Sequence, residues 1–144
     1  VIDNLIRFAA KFYAPIRFIE LMPFCSKEFY KAHFISMQDI SAGLQLEPID
    51  DNQFGHGPAR YYKSLKGGIV GMISSTSGRF CASCDRLRLT SRGKLKRCLA
   101  DANSIDLREH HFSVDAVKEY LFGKTFDHRN YSLIAEKSLR AIGG

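Results

Sequence analysis

The chain has 144 residues, of which 45% are hydrophobic and 25% charged, and this balance is typical of a globular domain with its own core. No apolar run approaches the roughly twenty residues of a membrane span, and the first residues lack the apolar stretch of a signal peptide. We therefore expect a cytoplasmic protein, with no membrane partner, whose four cysteines serve as metal ligands or redox groups.

The first part of the sequence predicts an alternation of helix and strand. Apolar residues between Ile2 and Phe12 recur at helical spacing, and Pro15 ends this helix. The apolar segment 16–24, IRFIELMPF, predicts a strand that is covered on both faces, as strands of α/β folds are. Because the chain starts at Val1 without methionine, we expect a longer protein that contains the neighbouring strands.

The rest of the sequence predicts a short helix, two β-hairpins and a longer helix before a Gly-Gly tail. After an irregular stretch, Ser36 is expected to cap the short helix, which ends near Gly43. Ser113 is expected to cap the longer helix, which ends at Gly123. The hairpins are predicted from alternating segments on either side of glycine-containing turns, with arms at residues 59–65 and 69–75, and at 85–90 and 95–100.

Three of the four cysteines form the pattern C-x2-C-x13-C, at Cys81, Cys84 and Cys98, and the second hairpin would bring them together. A structural zinc site needs four ligands, and the fourth would have to be Cys25 or a distant histidine. Three thiolates also suit a [4Fe–4S] cluster with one iron left open to a substrate. Cys25 alone is expected to be a small buried hydrophobic residue.

Positive charge is concentrated in the same segment. The net charge of the chain is +6, and residues 79–97 contain seven basic side chains and a single acid, Asp85. A local positive field of this kind indicates an anionic partner, such as a phosphate, a nucleotide or nucleic acid. A solvated basic face with no partner is the alternative.

Two arginines within this segment are the candidate phosphate ligands. Arg86 and Arg88 are two positions apart on a predicted strand, so both should project from one face. Paired guanidinium groups match the oxygen geometry of a polyphosphate. The intervening Leu87 and the following Leu89 are expected to point into the core.

Four segments resemble, in order, those of the molybdenum cofactor biosynthesis protein A family, the radical-SAM GTP 3′,8-cyclases. They are RFIELMPF, GPARYY, FCASCDRLRLTSRGKLKRCLA and the terminal IGG. The resemblance implies an α/β fold that is the C-terminal part of a longer chain. Residues 1–46 would supply the last helix–strand–helix elements of an incomplete (β/α) barrel, and residues 47–144 a small α+β region whose β-hairpins carry a three-cysteine iron–sulfur site.

The resemblance also implies the activity of the complete enzyme. A first [4Fe–4S] cluster, on an N-terminal C-x3-C-x2-C motif, would cleave S-adenosylmethionine to a 5′-deoxyadenosyl radical. The radical would convert GTP to (8S)-3′,8-cyclo-7,8-dihydroguanosine 5′-triphosphate, which passes to cyclic pyranopterin monophosphate synthase. A homodimer is a further implied assembly. The N-terminal motif does not occur in this sequence, so no catalytic residue is assigned here and the chain alone is expected to be inactive.

On the same resemblance, a second, substrate-binding [4Fe–4S] cluster has three cysteine ligands in this chain, and Asp85 stands where the family usually has asparagine. The implied site residues are Cys81, Cys84 and Cys98 for the cluster; Arg86, Leu87 and Arg88 for GTP; Met22 for S-adenosylmethionine; and Gly143 and Gly144 for a tail that reaches the active site.

Three other interpretations stay open. A cysteine-rich, zinc-stabilised nucleic-acid-binding module would use the basic hairpin for phosphates, although Phe80 is the only aromatic residue in that segment for stacking on bases. A sulfur-carrier protein would use the Gly-Gly end. A zinc-stabilised domain would use the cysteines for folding alone.

Overall fold

The structure is a computed structural model that describes residues 1–55, 57–78, 80, 84–101 and 103–122. These residues pack into two compact units. The first comprises Val1–Met22 and Tyr30–Phe80, and the second comprises Pro23–Phe29 and the described part of Cys81–Gly144. Among the described residues, no helix is long and apolar enough to cross a membrane.

A four-stranded mixed sheet forms the first unit. Its order is β1-β4-β3-β2, with β1 parallel to β4 and the remaining pairs antiparallel. The predicted hairpin with arms 59–65 and 69–75 is confirmed as β3 and β4, joined by a turn in which Gly67 and Gly68 have φ angles of 94° and 83°. The strands are β1 (Ile16–Ile19), β2 (Leu46–Pro48), β3 (Arg60–Ser64) and β4 (Ile69–Ile73).

The core of this unit lies where helices cover one side of the sheet. Ile6 of helix α1 (Ile2–Lys11) and Val70 of β4 are almost fully buried, and Met37 and Met72 complete the cluster. The remaining element of the unit between β2 and β3 is a short 3-10 helix, Asp51–Phe54. The helical spacing of apolar residues from Ile2 onward predicted α1 correctly. The buried residue of this helix is Ile6.

Strand β1 differs from its prediction in two ways. Its neighbour β4 lies within this chain, so the expectation that its neighbouring strands lie elsewhere is wrong for one side. Burial alternates along the strand, with Ile16 and Phe18 partly covered and Arg17 and Ile19 exposed. The strand therefore has one covered face and not two. An apolar run by itself does not show which faces of a strand are covered, because coverage depends on the elements packed around it.

Two further helices were predicted and one was not. Ser36 caps α3 (Met37–Ala42), since its Oγ accepts a hydrogen bond from the Asp39 backbone N–H at 3.0 Å. The longer helix is α4 (Val114–Phe122), and the Ala116 N–H lies 3.4 Å from the Ser113 Oγ that was predicted to cap it. The unpredicted helix is α2 (Lys27–His33), and the predicted stop at Gly123 lies outside the described residues.

The second unit contains a small antiparallel sheet and α4. Its order is β5-β6-β7, from β5 (Arg88–Leu89), β6 (Lys94–Lys96) and β7 (Ile105–Asp106). The second predicted hairpin is therefore confirmed, although both arms are shorter than expected. The division predicted at residue 46 stays a prediction; strands from both sides of it belong to the four-stranded sheet.

Candidate functional site

The hairpin of β5 and β6 carries the basic residues, and its turn is closed by Thr90. The Thr90 N–H donates to the Lys94 carbonyl at 2.9 Å, and the Lys94 N–H donates to Thr90 Oγ1 at 3.1 Å. Gly93 has a φ of 75°, a backbone conformation that favours glycine, and the Arg108 side chain covers it. The turn predicted between the arms at residues 85–90 and 95–100 is thus confirmed. The hydrogen bonds of Thr90 and the backbone conformation of Gly93 stabilise it.

The cysteines that the structure describes form no disulfide. Cys84 is exposed, and Cys25 and Cys98 are partly buried. Cys81 lies outside the described residues. Within the described part of the chain, no three side chains of the His, Cys, Asp and Glu types are placed to hold a metal ion. The three-cysteine site therefore stays a prediction, and thiols that form no disulfide are the correct chemical form for it.

The arginines are exposed, but the strand that presents them is shorter than predicted. Strand β5 begins at Arg88, so the alternation that was to place Arg86 on the same face does not extend to Arg86. Leu87 and Leu89 are 51% and 64% exposed, so the prediction that they point into the core is wrong. Leu87 precedes β5 and Leu89 ends it, and the exposure of both shows that no element covers them.

Charge on this hairpin is only partly compensated. Arg88 lies directly opposite Lys96 in the β5–β6 register, and like charges in that position repel. Lys94 lies opposite Asp106, which forms an ion pair of 2.8 Å with Arg108. The hydrogen bonds from Arg108 are the main reason that the pKa of Asp106 falls to about 2. The hairpin therefore keeps a positive field that suits an anionic ligand.

A buried glutamate that the sequence analysis did not single out holds the loop before the cysteine segment. Glu20, only 2% exposed, follows β1 and accepts hydrogen bonds from the backbone N–H groups of Thr76 and Ser77, each at 2.8 Å. The Met37 N–H donates to it at 2.8 Å, and the Ser77 hydroxyl donates a further bond. Four donors around one carboxylate fix the loop after β4, and a glutamate in an otherwise apolar strand segment was the signal for this role.

Burial raises the pKa of the Glu20 carboxyl, but the hydrogen bonds from Ser77, Met37 and Thr76 together lower it further, so its pKa lies below the ordinary value. Glu20 is therefore a buried anion at neutral pH. Met22, predicted to line a S-adenosylmethionine site, lies two residues beyond it and is partly buried. No described contact tests that role.

Arg17 of β1, which had no predicted role, is held across the sheet. Its Nε donates to the Tyr61 hydroxyl at 2.6 Å, and its guanidinium carbon lies 5.6 Å from the centre of the Tyr61 ring. Gly71 leaves space for these two side chains, because a Cβ at that position would lie 2.9 Å from the Tyr61 ring. Phe54 stacks on Tyr61 with ring centroids 4.2 Å apart, so this exposed arginine has a fixed anchor.

These features define a mixed α/β protein with cysteines that form no disulfide where they are described, and with a basic hairpin whose charge is only partly compensated. Residues 14–128 match the model of the Molybdenum Cofactor Synthesis C family, and the chain belongs to that family. The resemblance found in the sequence is thereby confirmed. The mixed α/β character of the prediction is confirmed as well, and the nucleic-acid-binding alternative receives no support.

Individual proteins that are similar to this chain support the same family assignment. A GTP 3′,8-cyclase of Syntrophomonas wolfei is 40% identical over 113 residues, which cover 74% of this chain and 34% of that protein. A GTP 3′,8-cyclase of Clostridium botulinum strain Langeland is 33% identical over 146 aligned positions, 97% of this chain and 44% of that protein. A GTP 3′,8-cyclase of Heliobacterium modesticaldum is 42% identical over 101 residues. The chain thus spans less than half the length of the relatives it matches.

Proposed function

We propose that this chain is the C-terminal portion of a GTP 3′,8-cyclase that acts in molybdenum cofactor synthesis. The observation that carries the proposal is the match of nearly the whole chain to relatives with that name, with the cysteine hairpin inside the matched segment. The free thiols and the positive hairpin support it chemically. In the complete protein, residues 1–46 would contribute the last elements of an incomplete barrel, and residues 47–144 the substrate-binding region.

In this proposal Cys81, Cys84 and Cys98 hold a [4Fe–4S] cluster. When bound, such a cluster supplies an iron atom without a protein ligand, at which a substrate can coordinate. The donor set fits: Cys84 is exposed, Cys98 is partly buried and follows β6, and neither forms a disulfide. The proposal assigns Cys25 no part in the cluster.

The chain's other residues bind and position the substrate. The exposed guanidinium groups of Arg86 and Arg88 are proposed to bind the triphosphate of GTP, with Leu87 beside them. Met22 is proposed to line the S-adenosylmethionine site. The proposed tail residues, Gly143 and Gly144, lie outside the described residues.

Other parts of the proposal concern the complete protein. The first cluster, on the C-x3-C-x2-C motif that this sequence lacks, would act on S-adenosylmethionine. The product of GTP cyclisation would pass to cyclic pyranopterin monophosphate synthase, and the enzyme would work as a homodimer in the cytoplasm. This chain alone is proposed to be inactive.

Iron and sulfide analysis after anaerobic reconstitution tests the cluster. The wild-type chain should hold about four irons and four sulfides, the stoichiometry of the cluster. Replacing Cys81, Cys84 or Cys98 by alanine should remove them, because each supplies one of three thiolates. Cys25→Ala is the matched control and should keep the full content. If Cys25→Ala loses iron as completely as the others, the cluster has four thiolate ligands and the open iron is refuted.

Titration of GTP against the complete, reconstituted enzyme tests the arginines. A charge-assisted arginine–phosphate contact contributes about 1.5–3 kcal/mol, so Arg88→Ala should weaken GTP binding roughly ten- to a hundredfold. Arg88→Lys keeps the charge but loses the planar fork and should recover part of the affinity. Arg92→Ala, in the exposed hairpin turn, is the control and should change binding little. Wild-type affinity in Arg88→Ala, with normal iron content, would eliminate the phosphate role.

A further inference from the structure

Arg97 and Asp101, which lie on either side of Cys98 in the sequence, form a buried ion pair. Neither residue has a role in the proposed function. Arg97 Nε lies 2.9 Å from Asp101 Oδ2, and the two side chains are 16% and 1% exposed. Few apolar side chains are buried in this unit among the described residues, the largest being Phe24 and Leu95. A nearly inaccessible carboxylate in so small a core indicates a specific task, because burying a charge is costly.

The ion pair is part of a network that leaves neither charge uncompensated. The Asn103 N–H donates to Asp101 Oδ1 at 2.9 Å, and the Tyr120 hydroxyl lies 3.4 Å from Asp101 Oδ2. The same hydroxyl lies 3.0 Å from the Asn103 carbonyl oxygen. The Arg97 guanidinium carbon lies 4.9 Å from the centre of the Tyr120 ring, a cation–π distance. Helix α4, which carries Tyr120, is thereby joined to the turn after β6.

Cys98 lies inside the turn that this network closes. The Asp101 N–H donates to the Cys98 carbonyl at 3.1 Å, and the Ala100 N–H donates to Cys98 Sγ at 3.4 Å. The Arg97–Asp101 side-chain bond spans residues 97–101, which include the same turn. Backbone bonds and side-chain bonds therefore restrict one turn, and the direction of the Cys98 thiol is set by that turn.

We propose that Arg97, Asp101 and Tyr120 are positioning residues, which hold Cys98 Sγ in its ligand orientation before an iron–sulfur cluster binds. This inference rests on the proposed function, in which Cys98 is a cluster ligand. Metal ligands need outer partners that fix their direction, and loss of such a partner typically lowers metal affinity ten- to a hundredfold. A polar network performs this task here because the apolar packing around the turn is sparse.

Two measurements on the intact chain test the proposal: iron retained against a competing chelator, and the rate at which iodoacetamide modifies Cys98 in the metal-free protein, followed by mass spectrometry. Asp101→Asn keeps the shape but removes the charge that pairs with Arg97. It should lower iron retention ten- to a hundredfold and speed Cys98 modification several-fold, while the rate at Cys84 stays unchanged.

The matched control is Asp106→Asn, which breaks an Asp–Arg pair of the same unit that is distant in sequence from Cys98 and should change neither measurement. Arg97→Lys keeps the charge without the planar guanidinium and should produce a smaller change in the same direction as Asp101→Asn. Tyr120→Phe removes the hydroxyl but keeps the ring under Arg97, so it should have the smallest effect of the three.

The outcomes separate this inference from the proposed function. If wild type holds no iron but Asp101→Asn still speeds Cys98 modification, the cluster assignment fails and the ligand-positioning role fails with it; the network then only holds the turn that contains Cys98. If wild type holds iron and Asp101→Asn, correctly folded by circular dichroism, changes neither measurement, the positioning role is refuted. If Asp101→Asn does not fold, the Arg97→Lys variant tests the positioning role in its place. Wild-type iron retention and Cys98 modification in Arg97→Lys would overturn the proposal, and a partial change of both would support it.

Discussion

The four-stranded sheet and the cysteine hairpin are stabilised by different means. In the unit that contains the sheet, Ile6 of α1 and Val70 of β4 are 1% and 0% exposed and pack with Met37 and Met72 between the helices and the sheet. In the hairpin, Leu89 is 64% exposed, and the most buried of the described residues in the surrounding unit is Asp101, at 1%. Apolar packing therefore defines the first region, whereas specific polar pairs define the second. In the proposed function this segment presents thiols and guanidinium groups to ligands, which leaves few side chains for a core.

The largest effect on stability is expected in the sheet. Ile6→Ala removes a buried side chain and should lower the free energy of unfolding by about 2–5 kcal/mol, measured by urea denaturation. Leu89→Ala, the matched truncation in the hairpin, should change it by no more than about 0.5 kcal/mol because the side chain is mostly in water. Equal effects of the two substitutions would show that the contrast between the regions is wrong.

A smaller effect is expected at Glu20, the polar exception within the sheet unit. Glu20→Gln replaces one acceptor oxygen by an N–H2 group that faces backbone donors, so it should cost about 1–3 kcal/mol. The pKa of Glu20 is lowered in the folded state, so its charged form stabilises the fold at pH values above its ordinary value of 4.5. That contribution is lost as the pH falls below 4.5 and through the folded-state pKa.

Denaturation curves between neutral pH and pH 3 test the prediction that the charged form of Glu20 stabilises the fold. Wild type should lose stability on acidification more steeply than Glu20→Gln, because the variant has no carboxylate to protonate. Glu47→Gln, at an exposed position on β2, is the control and should follow wild type. A variant curve parallel to that of wild type would show that Glu20 does not contribute through its charge.

Elements with strong local signals could be predicted from the sequence. The helical spacing of α1, the Ser36 cap of α3 and the two hairpin turns depend on residues close together in the chain, and all are present in the structure. The family was also recognisable, because its short segments occur in order. The candidate site was predicted as a set of residues, of which Cys84, Arg86 and Arg88 are described and exposed.

Burial could not be predicted in the same way. Leu87 and Leu89 alternate with arginines as core residues of a strand do, yet β5 begins only at Arg88 and both leucines are exposed. Strand β1 was expected to be covered on two faces and is covered on one. Coverage is decided by elements distant in sequence, and a local pattern contains no information about them.

Residue types and short-range spacing were enough to predict the family, most local elements and the candidate cysteines and arginines. Which polar groups become buried partners could be seen only in the folded chain. Glu20 contacts Thr76 and Ser77, which lie 56 and 57 residues further along the chain. Arg97 contacts Tyr120, which lies 23 residues further along. Such contacts form because a buried charge must find its hydrogen-bond donors wherever the fold brings the chain together.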